Sequence, residues 1–274
     1  MSADQNQPDW GRIAGKFDLW LPQIEPVGEA LLEVLDARPG HAVLDLASGT
    51  GEPALTLARR LPDIRIEGID AAEGMVEAAR AKVTQERLGN IRFQTMAAEA
   101  LAFPDEHFDR VLCRFGVMLF DDPARGLAEM RRVLKGDGRF AIAVWSTPET
   151  MPTLCWSWQA FKDRVPEDFH PPLPKVTSLG APGVLESLLQ EAGFADFRVE
   201  KKTLDYRFES FEDYWDTVEA SEILRRQYEA LPENQHGLIR EEIREMAEEH
   251  LCDQGLVIPH EYLLAWGRNT ETDD

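Results

Sequence analysis

The chain is poor in cysteine and in basic residues, and each shortage excludes a class of protein. Its three cysteines, Cys113, Cys155 and Cys252, are spread over 274 residues. Without a CxxC pair or a Cys/His cluster they predict no disulfide framework and no metal site, so we expect free thiols in a reducing cytoplasm. Only 29 basic residues stand against 50 acidic ones, which gives a formal net charge of −21. A surface of this charge repels phosphates, so we expect no nucleic-acid partner.

Long apolar runs are missing as well. The sequence nowhere has about 18 consecutive apolar residues, and its first ten residues contain no basic region followed by an apolar core. It therefore predicts no export signal and no integral membrane association, and we expect cytoplasmic localisation. The composition neither requires nor excludes a homodimer. With 43% hydrophobic residues the chain can form one large α/β unit with an elaboration.

What the chain does contain is a regular alternation of strand and helix patterns. Four strand-helix alternations in about 100 residues predict a doubly wound parallel sheet with right-handed crossovers. Two later strands, at 197–208 and 255–266, would form a hairpin-like pair joined by helices at 211–230 and 236–250, making seven strands with the last antiparallel. The first five strands are predicted at 41–47, 64–70, 90–96, 108–114 and 139–145.

The N-terminal segment from Trp10 to Leu35 carries apolar residues at helical spacing. Pro22 and Pro26 are expected to divide it into two helices. The predicted organisation has five segments: N-terminal helices (1–40), a core of alternating strands and helices (41–146), connecting helices and a strand (147–207), a helical insert (208–254), and a last strand with the tail (255–274).

The stretch VLDLASGTG, residues 43–51, is a short apolar strand followed by a glycine turn and a helix that begins at Glu52. Gly49 and Gly51 have no Cβ and adopt positive φ at little cost, so the backbone can approach a ligand closely. The N–H groups of the first helical turn then point at that ligand. An ordinary strand-to-helix connection is the alternative explanation of this stretch.

Asp70 favours the ligand-binding interpretation. It lies 19 residues beyond Gly51 at the end of the second strand, where a carboxylate can accept both hydroxyl hydrogens of a ribose. Its alternative role is a helix N-cap. The two features together indicate a nucleoside cofactor. The turn reads A-x-G-x-G and not the G-x-G-x-x-G of dinucleotide binders, which disfavours a nicotinamide oxidoreductase.

Four segments in order resemble class I S-adenosylmethionine-dependent methyltransferases, in particular the ubiquinone/menaquinone-biosynthesis C-methyltransferases and related natural-product methyltransferases. They are VLDLASGTG, GIDAAEGMVEAAR (68–80), AAEALAFPDEHFDRV (97–111) and RFGVMLFDDPARGLAEMRRVLKGDGRF (114–140). The resemblance implies a Rossmann-like fold that binds S-adenosyl-L-methionine and releases S-adenosyl-L-homocysteine. In such a fold residues 41–146 would be the cofactor-binding core, the helices of 1–40 would contribute to a substrate lid, and the insert at 208–254 would be a helical cap.

The resemblance also implies roles for individual residues. Asp70 would hold the ribose, the Ala98 N–H would meet an adenine nitrogen, and Arg114 would border both cofactor and acceptor. The cofactor-binding residues expected in this way are Ala47, Gly49, Thr50, Gly51, Asp70, Ala71, Met75, Ala97, Ala98, Glu99 and Arg114.

Three residues depart from the family pattern. Ala47 replaces the usual first glycine, and Phe17 replaces a frequent tyrosine near the methionine end of the cofactor. Ala97 stands where Asp or Asn commonly meets the adenine amino group. One hydrogen bond of about 0.5 to 1.5 kcal/mol is therefore missing, or is supplied by Glu99 or water.

The acceptor is expected to be a small aromatic or lipophilic molecule, methylated at carbon or oxygen. Aromatic and methionine side chains would form its cavity, although core packing explains many of them equally well. We expect this pocket to include Trp10, Phe17, Trp20, Phe115, Met118, Trp156, Trp158, Tyr214 and Trp215.

Methyl transfer from a sulfonium requires alignment and exclusion of water, and it needs no covalent intermediate. No catalytic residue is therefore assigned. His107, His170, His236 and His260 are candidate bases, each more simply explained as a surface or structural residue. Two alternatives are a protein that keeps the cofactor but promotes a cyclisation, and a non-catalytic cofactor-binding module.

Overall fold

The computed structural model describes residues 10–162, 164, 175–220 and 231–270. Within them one mixed sheet forms the centre of the molecule, in the order β3-β2-β1-β4-β5-β8-β6, with β7 paired to β8. The strands are β1 (Ala42–Leu46), β2 (Arg65–Asp70), β3 (Ile91–Thr95), β4 (Phe108–Arg114), β5 (Leu134–Trp145), β6 (Asp196–Phe208), β7 (Leu251–Cys252) and β8 (Gly255–Arg268).

The sheet is mostly parallel, as the sequence predicts. β1 pairs in parallel with both β2 and β4, and β4 pairs in parallel with β5. The last long strand, β8, runs antiparallel between β5 and β6. The predicted doubly wound α/β fold with an antiparallel last strand is thereby confirmed, and the short β7 is an addition that the sequence pattern did not indicate.

Burial along the strands explains their places in the sheet. All five residues of β1 are buried, which is typical of a central parallel strand covered on both faces. In β6, by contrast, Leu204, Tyr206 and Phe208 are buried while the residues between them are more exposed. This strand lies at the end of the sheet and turns alternate side chains inward.

Helices precede, connect and follow these strands, and α2 packs against β4, β5, β6 and β8. Among the described residues no helix is long and apolar enough to span a membrane. The α-helices are α1 (Trp10–Phe17), α2 (Leu21–Leu35), α3 (Ala54–Arg60), α4 (Glu73–Glu86), α5 (Pro123–Val133), α6 (Pro152–Lys162), α7 (Val184–Glu191), α8 (Phe211–Ala220) and α9 (Glu233–Glu248).

Two predicted boundaries need correction. Pro26 does not divide the N-terminal segment, because it lies inside α2, while Pro22 occupies the first turn, where a missing N–H costs little. β5 begins at Leu134 and not at residue 139, since the chain becomes extended directly after α5. Of the helix predicted at 211–230, residues 221–230 lie outside the described residues. The division into five segments stays a prediction.

Candidate functional site

The carboxyl ends of the parallel strands surround one cavity of about 430 Å³. This is the edge of the sheet, beside the β1/β4 switch in strand order, where open α/β folds bind ligands. Each strand from β1 to β6 contributes a residue at or near its end: Ala47, Asp70, Met96, Arg114, Trp145 and Tyr206 line the cavity. Because β3 and β6 lie at opposite ends of the sheet, the cavity extends across most of its width.

The glycine turn after β1 has the backbone conformation that the sequence predicts. Gly49 and Gly51 have φ of 54° and 106°, within the left-handed region that glycine adopts readily. Ala47 also has a positive φ, 52°. It stands where the resembled family usually has glycine, and its Cβ makes this conformation unfavourable. The Ser48 N–H donates to Ile69 at 2.8 Å, which fixes the turn against β2.

Asp70 holds the turn in place and faces the cavity. Its carboxylate accepts one hydrogen bond from the Gly49 N–H and one from the Ala72 N–H, each at 2.9 Å. Burial raises the pKa of this carboxyl, and the two backbone hydrogen bonds oppose that shift. A carboxylate has about four acceptor positions, so both oxygens can still accept from a ligand. The N-cap of α4 is Ala72, so Asp70 supports the helix start without being the cap.

Four residues that the resemblance assigns to the adenine ring line the cavity: Ala71, Met75, Ala97 and Ala98. The Ala98 N–H makes no hydrogen bond to any residue in the described part of the chain. Glu99 also lines the cavity, and its carboxylate accepts from the N–H of Asp121 at 2.9 Å. That bond ties this segment to the loop after β4.

Thr50 and Gly51, by contrast, are not brought to the cavity surface. The Thr50 hydroxyl donates to Asp18 at 2.6 Å and is turned toward the segment between α1 and α2. A Cβ added to Gly51 would lie 2.7 Å from Leu55 and 3.1 Å from Phe93, so this glycine permits close packing behind the turn.

Two buried polar side chains near the turn make no hydrogen bond within the described chain. They are the Ser48 hydroxyl and both carboxylate oxygens of Asp45. Burial raises the pKa of Asp45 well above its usual range, against the attraction of Arg114. Buried polar groups ordinarily have partners, so these two side chains are exceptions, and the Ser48 hydroxyl lies against Gly68 of β2.

Arg114 lies at the end of β4 and lines the cavity. Its guanidinium donates to the carbonyl oxygen of Glu52 at 2.8 Å and to that of Ile24 at 3.5 Å. Burial lowers its pKa while Asp45 opposes the change, and a guanidinium stays charged in proteins. No ion pair of Arg114 with Asp109 or Asp121 is formed, since Asp109 pairs with Lys135 and Asp121 with Lys175. Three of its five N–H groups are not used in these bonds.

Aromatic side chains line much of the cavity. Phe17, Trp20, Phe115 and Met118, all predicted, line it, and a Cβ added to Gly49 would lie 3.8 Å from the Phe17 ring. Phe115 stacks on Trp145 with 3.9 Å between ring centroids, and Trp145 meets Tyr206 at 6.2 Å. Four further residues line the cavity that were not expected there from the sequence: Trp145, Tyr206, Ile24 and Val176.

Other aromatic residues expected in this pocket lie elsewhere. Tyr214 and Trp215 are buried on α8, where Phe211 packs against both rings. Trp156 meets Tyr214 edge-on at 6.0 Å, so it belongs to the same apolar layer. Trp158 is likewise absent from the cavity lining, and the side chain of Trp10 lies outside the described residues.

Among the described residues no histidine lines the cavity. His107 is exposed and packs on Phe108, while His236 lies 3.1 Å from the Leu231 carbonyl oxygen. His260 is fully buried, and burial lowers its pKa to about 4, so its ring is neutral at pH 7. His170 lies outside the described residues.

The proteins similar to this chain in sequence include C-methyltransferases and an O-methyltransferase. The profile of the family described as "Methyltransferase domain" matches residues 43–138. The ubiquinone/menaquinone biosynthesis C-methyltransferase UbiE of Citrifermentans bemidjiense is 41% identical over 175 residues, covering 61% of this chain and 71% of the relative. The nocamycin O-methyltransferase of Saccharothrix syringae is 30% identical over 236 residues, covering 76% of this chain and 83% of the relative.

Some matches are shorter. The alignments with the UbiE protein of Geobacter sulfurreducens and with YcgJ of Bacillus subtilis span 44% and 46% of those relatives. Among solved structures, the crystal structure of YcgJ superposes with a TM-score of 0.62 at 24% identity, covering 90% of this chain and 100% of YcgJ. That likeness shows a shared fold.

Proposed function

We propose that this chain, which belongs to the class I S-adenosylmethionine-dependent methyltransferases, methylates a small aromatic or lipophilic molecule at carbon or oxygen. One observation carries the proposal. A single cavity joins the glycine turn and Asp70 at one end to the aromatic side chains around Arg114 at the other. The cofactor and an apolar acceptor can therefore meet within it. The C- and O-methyltransferases among the relatives support both kinds of acceptor atom.

The residues at the first end suit S-adenosylmethionine. Asp70 offers acceptor positions for two ribose hydroxyls, and the Ala98 N–H is a donor without a partner in the described chain. Glu99 has one carboxylate oxygen tied to the loop after β4. Its other oxygen is the one that would replace the acceptor lost through Ala97.

S-adenosylmethionine, when bound, supplies a methyl group whose bond to sulfur breaks with both electrons returning to sulfur. The acceptor atom forms the new bond and, if it is carbon or a hydroxyl oxygen, loses a proton to solvent. The protein aligns the partners and excludes water. Phe17 and Trp20 stand at the N-terminal side of the cavity, Phe115 and Trp145 at the sheet side. With no histidine among the described lining residues, we expect the acceptor proton to leave without a histidine base.

The ribose role of Asp70 can be tested by calorimetric titration. Asp70→Ala is expected to weaken S-adenosylmethionine binding about 10- to 100-fold, because hydrogen bonds to a charged group are worth about 1.5 to 3 kcal/mol. Asp70→Asn, which keeps one acceptor oxygen for the backbone N–H groups, should lose less. Binding should also weaken as the pH falls, starting above the ordinary value of 3.8, because the pKa of Asp70 is raised.

Asp63→Ala is the matched control, since Asp63 is exposed in the turn before β2. It should bind S-adenosylmethionine as tightly as the unmodified chain. Circular dichroism shows whether each variant is folded. Full-strength binding by folded Asp70→Ala would contradict the ribose role.

Turnover distinguishes methyl transfer from a cyclisation that keeps the cofactor. Quinols, phenols and amines are incubated with the protein and S-adenosylmethionine, and S-adenosylhomocysteine is measured. Methyl transfer releases one S-adenosylhomocysteine for each methylated product. A cyclase converts its substrate without any release, and an inactive binding module converts nothing.

A further inference from the structure

Tyr206 is a buried polar residue that the cofactor end of the site does not use. It lies two residues before the end of β6 and lines the cavity on the acceptor side. The residue is 6% exposed, and none of the hydrogen bonds among the described residues involves its hydroxyl. The hydroxyl oxygen is not fully enclosed by protein, and the residue lines the cavity. A hydroxyl in this position can donate to an oxygen of a ligand.

The ring of Tyr206 is fixed from behind. In the antiparallel pair of β6 and β8, Tyr206 lies opposite Ile258, which places His260 on the same face as its diagonal neighbour. The two rings are stacked, with 4.1 Å between centroids. His260 is itself held, with Nδ1 3.0 Å from the Ile258 carbonyl oxygen and Nε2 2.8 Å from the Thr153 hydroxyl.

Two further rings close the sides. Trp20 lies 5.9 Å from Tyr206 at an interplanar angle of 50°, and Trp145 lies 6.2 Å away at 81°. A tyrosine held by three neighbouring rings presents its hydroxyl in one direction at little entropic cost when a ligand binds.

Arg114 faces the same space. Both residues line the cavity, and the positive charge of Arg114 partly opposes the rise in the pKa of Tyr206 that burial causes. The two residues thus place a neutral hydroxyl donor and a charged N–H donor in a cavity that Trp20, Phe115 and Trp145 also line. Oxygen that is partly or fully negative is the group that accepts from both.

We infer that Tyr206 and Arg114 together form an acceptor-recognition site for an ionisable oxygen, a phenol or enol hydroxyl, on a flat aromatic molecule. This inference rests on the proposed methyl transfer and narrows its substrate class. Tyr206 acts as a positioning residue. The pair holds the oxygen and lowers the cost of its ionisation, so that the released proton passes to solvent. Trp20, Phe115 and Trp145 contact the ring.

Equilibrium dialysis with two matched probes tests this site in the full chain saturated with S-adenosylhomocysteine. The probes are 2-naphthol and 2-methylnaphthalene, which differ by a hydroxyl in place of a methyl. The unmodified chain should prefer 2-naphthol about 10- to 100-fold, the equivalent of about 1.5 to 3 kcal/mol for hydrogen bonds to a charged group. Tyr206→Phe should reduce that preference at least about fivefold. A merely loosened cavity would weaken both probes alike.

Tyr262→Phe is the matched control. Tyr262 is buried on the same sheet face, opposite Trp145, but does not line the cavity. This variant should keep the full preference. Equal affinity for the two probes, an unchanged preference in Tyr206→Phe, or no binding of either probe at its solubility limit would each overturn the inference.

Different results would contradict the proposed function: no binding of S-adenosylmethionine, or no release of S-adenosylhomocysteine with any acceptor. Tyr206→Phe should bind S-adenosylhomocysteine with normal affinity. With any acceptor found in the turnover screen, this variant should raise the KM for the acceptor and leave the KM for S-adenosylmethionine unchanged. An unchanged acceptor KM would overturn the inference while methyl transfer stands.

Discussion

Ala47 shows how one methyl group affects the turn at the centre of the site. Its φ of 52° is unfavourable for any residue with a Cβ, costing about 1 to 2 kcal/mol. The methyl also lies close to the turn after β4, since a Cβ added to Gly116 would be 2.5 Å from it. The turns after β1 and β4 therefore pack directly on each other, and Gly116 leaves the room that Ala47 needs.

Ala47→Gly is expected to stabilise the protein. Glycine relieves about 1 kcal/mol of left-handed strain but adds about 0.5 kcal/mol of chain entropy to the unfolded state, for a net gain of about 0.5 kcal/mol. Urea unfolding measures the difference. Ala58→Gly, in the middle of helix α3, is the matched control and should lower the free energy of unfolding by about 1 kcal/mol. Equal losses in both variants would contradict the account of Ala47.

At the residue scale the sequence predicts best what lies within one local motif. Asp70 is the last residue of β2 and Ala98 lies three residues after β3 ends at Thr95, so their positions on the cavity wall depend on the order of strand and turn. Thr50 belongs to the same motif, but its hydroxyl pairs with Asp18 from the N-terminal segment. No local pattern indicates a partner that lies 32 residues away in sequence.

At the scale of elements, α2 is fastened to the end of β6 by one side chain. The Gln23 amide donates to the carbonyl oxygen of Arg207 and accepts from its N–H, each at 2.8 Å. The side chain thus pairs both backbone hydrogen-bonding groups of Arg207 on the free edge of β6, as a neighbouring strand would. Since Arg207 follows Tyr206, the same link holds the cavity wall at Tyr206 against α2.

Gln23→Ala should loosen this link. The Arg207 amide would lose its acceptor, so its hydrogen exchange is expected to become about tenfold faster, corresponding to about 1 to 1.5 kcal/mol for the broken bond. Mass spectrometry of peptides covering β6 measures it. Gln94→Ala, which removes a bond to Glu67 between β2 and β3, is the control and should leave β6 unchanged. Unaltered exchange at Arg207 in Gln23→Ala would show that the link does not hold the strand.

Element contacts also explain which aromatic residues could not be placed from the sequence. Tyr214 and Trp215 belong to a stripe at helical spacing with Phe211 and Val218, which indicates one buried face but not which cavity or core that face joins. Tyr206 is the reverse case, because the alternation in β6 marks it as buried while its place by Arg114 depends on β8 lying between β5 and β6. Sheet order of this kind depends on contacts between distant segments.

The whole molecule carries strong charge imbalance, with a formal net charge of −21. Many basic side chains in the described part of the chain are paired with carboxylates, as Arg59 is with Glu52 and Glu86. Exposed pairs of this kind contribute about 0 to 1 kcal/mol each and do not cancel the excess. Mutual repulsion among the remaining carboxylates therefore opposes the compact state.

Added salt should stabilise this protein. Raising NaCl from about 0.01 M to about 0.1 M shortens the screening length from about 30 Å to about 10 Å, which weakens long-range repulsion more than contact pairs. The melting temperature is expected to rise, as followed by circular dichroism at pH 7. KCl at equal ionic strength should have the same effect. A fall in melting temperature would mean that the ion pairs outweigh the net charge.

The position of β8 sets the order in which the two ends of the cavity can be completed during synthesis. β6 pairs with β8 in the sheet. Gly255, the first residue of β8, comes 47 residues after Phe208, the last residue of β6. The glycine turn, Asp70 and Arg114 precede both strands in the chain. The cofactor-binding half can therefore fold first during synthesis. Tyr206 can reach its place only after β8, the strand that pairs with β6, has been synthesised.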